Sequence, residues 1–260
     1  MSLKIYIAAH KPYPKLTKYI DDAYQFIQPG QKGKKLIEGY ISDDFIGSIS
    51  DKNPYYSELT ALYAIWKNLK SDYVGLVHYR RIFSNKKITL FKYQGLKKEK
   101  ALKILKNYDM ILPLKTYLRK TNYKNYEENH YIDDLLKVEA IIKNLYPDYL
   151  DAYYTFLNQK EAYYYNMFVM KWDLYDQYMK FMFDILFELE KAVNIENYDD
   201  YQKRIFGFIS ERLFNIWLIK NQPRVKEMDV ILIEKNPFVV TMKRFLSRIF
   251  GASGKVKWWK

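Results

Sequence analysis

Residues 73–83 read YVGLVHYRRIF, and the fold class turns on them. The first five are a short apolar run without helical period, which predicts a buried strand. The run stops at His78-Tyr79-Arg80-Arg81, so cationic side chains crowd the expected carboxyl end of that strand. Upstream, Asn53-Pro54 opens a helix: proline suits a first helical turn and Asn suits a cap. Leu59, Leu62, Tyr63, Trp66 and Leu69 then recur at helical spacing through Lys70.

Further out, residues 4–9 (KIYIAA), closed by His10-Lys11-Pro12, predict a first buried strand. Residues 30–53 are rich in Gly, Asp and Ser and read as loop, with one strand near 37–41. Residues 96–105 read as helix, and 108–112 (YDMIL), stopped by Pro113, as a third strand. The second half is mostly helical, with helices expected at 133–145, 149–159, 172–192 and 201–220. Strands are expected at 166–170 (NMFVM) and 230–233 (VILI). Strands alternating with helices predict an α/β fold with a largely parallel sheet and a helix-rich C-terminal half.

The 260 residues contain no Cys, which removes disulfides, thiolate metal sites and cysteine nucleophiles. A hydrophobic content of 49% excludes a disordered chain. The net charge of +13 is local: residues 86–120 carry a net +9 and 237–260 a net +6, which leaves the rest at −2. In PFVVTMKRFLSRIF (237–250), Val239, Met242, Leu246, Ile249 and Phe250 form one helical stripe, with Lys243, Arg244 and Arg248 opposite. Paired Trp258-Trp259 follow, so residues 236–260 are expected to form a basic amphipathic tail on a membrane surface. No stretch approaches a membrane span and no signal peptide is visible, so a cytoplasmic, peripherally membrane-associated protein is expected.

No GxGxxG, Walker A, HExxH or GxSxG motif occurs, and His10, His78 and His130 lack metal-ligand spacing. Nucleotide-sugar enzymes of the common α/β kind carry Asp-x-Asp after a mid-chain strand, where a divalent ion meets the diphosphate. Here that place holds His78, Arg80 and Arg81. Ligands of open α/β sheets bind at strand carboxyl ends, and Arg grips phosphate in a bidentate fork. The alternative is plainer: loop arginines and a core histidine.

Several blocks together resemble a family of bacterial capsular and exopolysaccharide glycosyltransferases catalogued as DUF4422. They are IYIAAHKPY (5–13), ISDDFIGSISDKNPYYSELTALYAIWKN (41–68), YVGLVHYRRIF (73–83), YDMILP (108–113), NMFVMKWDLYDQYMKFMFDILFELE (166–190) and RIFGFISERLFNIWL (204–218). The family usually has Cys where Val77 stands. The resemblance implies a single GT-A-like domain over residues 1–235, with a nucleotide-binding part (1–113) and a helical acceptor part (114–235). It implies transfer of a sugar from a UDP-hexose or UDP-galactofuranose donor to a lipid-linked oligosaccharide. It also implies residue roles. His10, Asp43, Asn53, Glu58, His78, Arg80 and Arg81 would serve the donor nucleotide and diphosphate. Asp43, Asn53 and Glu58 would touch the nucleoside or hold its loop. Asn166, His130 and Arg204 would serve the donor sugar and acceptor.

Inverting transfer needs a carboxylate base. Glu211 is the candidate, seven residues and about two helical turns after Arg204, with Gly207 and Phe208 between them on one face. Its plain alternative is an ion pair with Arg204 or Arg212, and Asp199 and Asp200 are secondary candidates. No cofactor is expected, because basic residues occupy the metal-ligand place, although an assisting Mg²⁺ or Mn²⁺ stays open. The rival class is a basic module binding nucleic acid or anionic polysaccharide, for which residues 86–126 interleave basic and aromatic side chains. No RNP, KH or helix-turn-helix signature supports it.

Overall fold

The computed structural model describes residues 1–85 and 94–233. Among the described residues eleven strands occur in chain order: β1 (Leu3–Ala8), β2 (Tyr24–Gln28), β3 (Ile41–Ser42), β4 (Tyr73–His78), β5 (Arg81–Phe83), β6 (Met110–Pro113), β7 (Thr116–Tyr117), β8 (Glu161–Ala162), β9 (Phe168–Lys171), β10 (Val225–Met228) and β11 (Val230–Leu232). The helices are α1 (Asn53–Tyr56), α2 (Leu59–Asn68), α3 (Lys98–Leu105), α4 (Asn122–Asn129), α5 (Ile132–Leu145), α6 (Leu150–Asn158), α7 (Trp172–Ala192) and α8 (Ile205–Asn221). The main sheet runs β10-β6-β9-β4-β1-β2-β3, while β5 pairs with β4 and β11 with β5. β1, β2, β3 and β4 are mutually parallel, and β10 is parallel to β6. Only β9 on that path runs the other way, antiparallel to both β4 and β6.

Side-chain alternation builds a core on each sheet face, as expected of strands covered on both sides. Tyr6, Val74, Leu76, Met110 and Met170 point into the larger core, formed with α2 and α5 to α8. Ile5, Ile7, Val77, Ile111 and Val169 point into the smaller one, covered by α3. β4 and β9 approach so closely at Gly75 that a Cβ there would lie 2.8 Å from the Phe168 carbonyl oxygen. α7 buries Tyr175, Tyr178, Met179, Met182, Ile185, Leu186 and Leu189 on one stripe. Its polar side carries the i,i+4 pair Lys180–Asp184. Replacing a fully buried aromatic such as Trp217 with Ala would cost about 3–5 kcal/mol.

The sequence expectation differs from the structure in places with physical causes. The helix opened by Asn53-Pro54 breaks at Ser57, whose φ of +52° lies in the left-handed region. Asn53 occupies the first position of α1 rather than its cap, and its amide donates to the Ser57 carbonyl at 2.7 Å. Arg204 stands at the N-cap position of α8, just before its first turn, without a side-chain cap hydrogen bond. The strand near 37–41 begins only at Ile41. β2 was hidden by its two Gln, one of which turns inward: Gln28 is buried, donates to Lys35 O and accepts from Ile37 N.

Much of the basic run at 86–120 has local partners, since Lys97 reaches Ile20 O, Lys98 pairs with Asp22, Lys115 with Glu161 and Lys120 with Glu128. The amphipathic tail and residues 86–93 lie outside the described residues. Among those residues no helix is long and apolar enough to cross a membrane.

Candidate functional site

The carboxyl ends of the parallel strands share one edge, and β9, running the other way, begins there. The pairing of Leu76 with Phe168 brings His78 beside the segment just before β9. After His78 the chain turns at Tyr79-Arg80 and returns as β5, with Arg81 paired opposite His78. The end of β1 packs against this turn: the His10 ring meets Tyr79 edge-on at 5.0 Å, and Tyr13 lies 4.4 Å from Tyr79. Short strands thus carry His10, His78, Arg80 and Arg81 to one place.

Tyr165 organises the inner part of the edge. Its φ of +81° is strained for a residue with a Cβ, and Asn166 follows at +47°. His78 Nε2 donates to the Tyr165 carbonyl at 2.5 Å, and the Tyr165 N–H donates to Glu211 Oε1 at 2.8 Å. The Arg81 guanidinium lies 4.4 Å over the Tyr165 ring. The Asn166 amide donates to Glu58 Oε1 at 2.9 Å and to Ser210 Oγ at 3.0 Å, while its Oδ1 is buried without a partner. Asn215 fastens the same segment from α8 by pairing with both backbone groups of Tyr163. A strained backbone held at so many points is fixed in place by the residues around it.

Glu211 and Glu58 therefore meet across Tyr165-Asn166. Burial raises the Glu211 carboxyl and the nearby Glu58 raises it further, while Arg212 and the Tyr165 N–H hold it down. Arg212 donates to Glu211 Oε2 at 3.2 Å, so the expected ion-pair alternative is present. Each Glu211 oxygen accepts one hydrogen bond and retains a second lone pair. The His78 ring is kept neutral chiefly by burial, with Glu58 opposing that effect.

Outside this pair the edge is cationic. The His10 ring is driven toward the neutral form by burial and then by Lys11, Arg80 and Lys34, all within electrostatic reach. Among the described residues neither Lys11 nor Lys34 has an ion-pair partner, and no three His, Asp or Glu side chains converge as a metal site. An edge of this sign, with a π surface at Tyr79 and a carboxylate pair behind, suits a phosphate-bearing ligand.

Other candidates take different positions. Asp43 is fully buried and accepts from Gly30 N (2.7 Å), Gln31 N (2.9 Å) and Ser50 Oγ (2.5 Å), so it holds its loop rather than facing a ligand. Asn53 backs the same loop: Gly30, at φ +65°, leaves no room for a Cβ against it. Arg204 Nε donates to Ser57 Oγ at 3.1 Å, and Gly207 on α8 faces the same serine. His130 lies among Tyr126, Tyr201 and Phe208, within electrostatic reach of Arg212. Asp199 is exposed and accepts from Gln202 N at 2.7 Å, a turn-capping role; Asp200 is exposed beside it.

The family profile described as "Domain of unknown function (DUF4422)" matches residues 4–222. The chain belongs to this family. A solved structure, described as the apo form of the bifunctional glycosyltransferase WbbM, is similar at 34% identity and a TM-score of 0.82. The match covers 90% of this chain and 46% of WbbM, so the chain spans about half the length of that relative. A comparison with curated proteins gave no match. Together with the mostly parallel central sheet, the likeness makes this DUF4422 chain GT-A-like in fold.

Site residues that sequence reasoning missed in this DUF4422 chain are Tyr165, Ser57, Ser210 and Asn215. The signal for Tyr165 was the run Tyr163-Tyr164-Tyr165-Asn166, an aromatic string ended by the residue that best tolerates left-handed backbone. Ser57, Ser210 and Asn215 carried none, because their partners are distant in sequence.

Proposed function

We propose that this DUF4422 chain is a glycosyltransferase that moves a sugar from a UDP-linked donor, a UDP-hexose or UDP-galactofuranose, to a lipid-linked oligosaccharide of capsule, exopolysaccharide or O-antigen. One observation carries the reading: the β4–β5 turn brings Arg80 and Arg81 to the sheet's carboxyl edge, where Tyr79 packs on the His10 ring and Arg81 lies over Tyr165, which Glu211 holds. The likeness to WbbM supports the reaction class.

In this reaction an acceptor hydroxyl oxygen bonds to the donor's anomeric carbon. The carbon–oxygen bond to the diphosphate breaks, and its electron pair leaves with the phosphate oxygen. Arg80, Arg81 and the lysines would stabilise that developing charge without needing a metal ion. The hydroxyl's proton goes to a carboxylate. Glu211 suits that task because burial raises its proton affinity. Asn166, bonded to Glu58, would border the donor sugar, and Arg204 and His130 the acceptor side. The basic tail at 236–260 would hold the enzyme on the cytoplasmic face of the membrane, where a lipid-linked acceptor is found.

A thermal-shift panel of UDP, GDP, CDP and their sugars tests the reading. UDP and a UDP-sugar are expected to raise the melting temperature in proportion to the logarithm of concentration. A panel in which no nucleotide moves it rejects the reading.

A further inference from the structure

Next to the proposed site lies an aromatic wall with no structural duty that explains its exposure. Tyr201 is 45% exposed, with its ring 4.9 Å from Phe208 and stacked at 14° to His130. Phe208 in turn lies 4.1 Å from His130, and the Arg204 guanidinium sits 5.8 Å from the Phe208 ring. Burial raises the Tyr201 hydroxyl's pKa, while Arg212 and Arg204 lower it and Glu211 raises it, so the wall lies within electrostatic reach of Glu211.

The hydrogen bonds define the proton positions on His130. Gln202 Nε2 donates to the Asn129 carbonyl at 2.8 Å, which turns its Oε1 toward His130. His130 Nδ1 lies 3.1 Å from that oxygen and must therefore carry the proton. Burial, and then the nearby Arg212, lower the ring's pKa to about 3, so it is neutral near pH 7. Nε2 is then a lone-pair acceptor, and it has no partner among the described residues.

We infer that Tyr201, Phe208 and His130 form a carbohydrate subsite, in which a sugar ring lays its C–H face on the aromatic wall and donates a hydroxyl to His130 Nε2. Rigid aromatic side chains supply apolar contact area at little entropic cost, and a few placed polar groups set orientation. Arg204, at the edge of the wall, offers donors to other hydroxyl oxygens. A lipid chain would leave the acceptor nitrogen unmet. The occupant's role as glycosyl acceptor rests on the function proposed above; the binding of a sugar does not.

The test uses the full chain, with and without saturating UDP, and the methyl glycosides of glucose, galactose, mannose and N-acetylglucosamine, read by saturation-transfer NMR. At least one glycoside should bind. Tyr201→Ala should weaken it by about tenfold, ~1.4 kcal/mol. Tyr201→Phe should retain binding, and His130→Phe, which keeps the packing but removes the acceptor, should weaken it. UDP affinity should not change in any variant. The inference is overturned if no glycoside binds, if Tyr201→Ala binds like the parent, or if Tyr201→Ala weakens UDP, which would give the wall to the nucleotide base. Glycoside binding at the wall without any UDP binding would uphold the subsite and reject the glycosyltransferase reading.

Discussion

The two edges of the central sheet treat charge in opposite ways. At the amino-terminal edge, Asp109 accepts from Lys171 Nζ at 2.7 Å and from Arg224 through Nε and Nη2 at 3.1 and 3.0 Å. The paired Arg224, and then Lys171, hold its carboxyl well below the usual range in spite of burial. Asp72 there accepts from the Ser2 N–H at 2.6 Å. Charges at this edge are matched within the protein and tie β6, β9, β10, β1 and β4 together. At the carboxyl edge, Lys11, Lys34 and Arg80 all lie within electrostatic reach of the His10 ring, and the Glu211 and Glu58 carboxylates are tied to Tyr165 and Asn166. Matched charge stabilises a fold, whereas like charges gathered near one another give a local potential that favours an anionic ligand.

The comparison can be broken most sharply at Glu211. Glu211→Gln keeps the side chain's shape and one acceptor oxygen but loses the acceptor for either Tyr165 N–H or Arg212, and should lower kcat by about 10²–10⁴-fold with UDP binding retained. A fully active variant would move the base to Glu58, which Glu58→Gln then tests in the same assay. Arg80→Ala should weaken UDP by about thirtyfold, ~2 kcal/mol, with little change in the melting temperature of the free protein. Calorimetric titration checks this, and unchanged affinity would place the diphosphate elsewhere. Asp109→Asn at the matched edge should do the reverse. It should cost about 1–3 kcal/mol of stability, or about 2–4 °C per kcal/mol, and leave UDP affinity alone.

The smallest effect is a pH dependence. His10, His78 and His130 all have lowered pKa values in the folded chain, that of His130 falling from 6.5 to about 3. The unfolded chain takes up these protons first, so stability is present above pH 6.5 and is lost as pH falls below it. His130 alone should account for about 1 kcal/mol between pH 6.5 and 5.5, and His130→Phe should flatten that part of the melting curve's pH profile. A profile unchanged by His130→Phe would contradict the buried neutral ring.

Elements whose cause is local could be read from the sequence. α7 was predicted at its observed bounds because its apolar stripe runs unbroken from Trp172, and β4 was marked by an apolar run with an abrupt polar stop. The same stop located the cationic edge. What escaped depended on distant partners. Ser57, where the helix breaks, is held from across the fold by Arg204, and Tyr165 is held in strain by His78, Arg81 and Glu211. Of the two roles expected of Asp43, touching the nucleoside or holding its loop, the bonds from Gly30 N, Gln31 N and Ser50 Oγ fit the second.

The central claim is that the carboxyl edge grips a nucleotide diphosphate with side-chain cations alone. Calorimetric titration of UDP into the full chain, in EDTA and then in excess Mg²⁺, tests it directly. The account predicts binding in EDTA with an affinity within about threefold of that in Mg²⁺, since ~0.6 kcal/mol is all that an accessory ion would add. Binding that appears only when Mg²⁺ is supplied would contradict it.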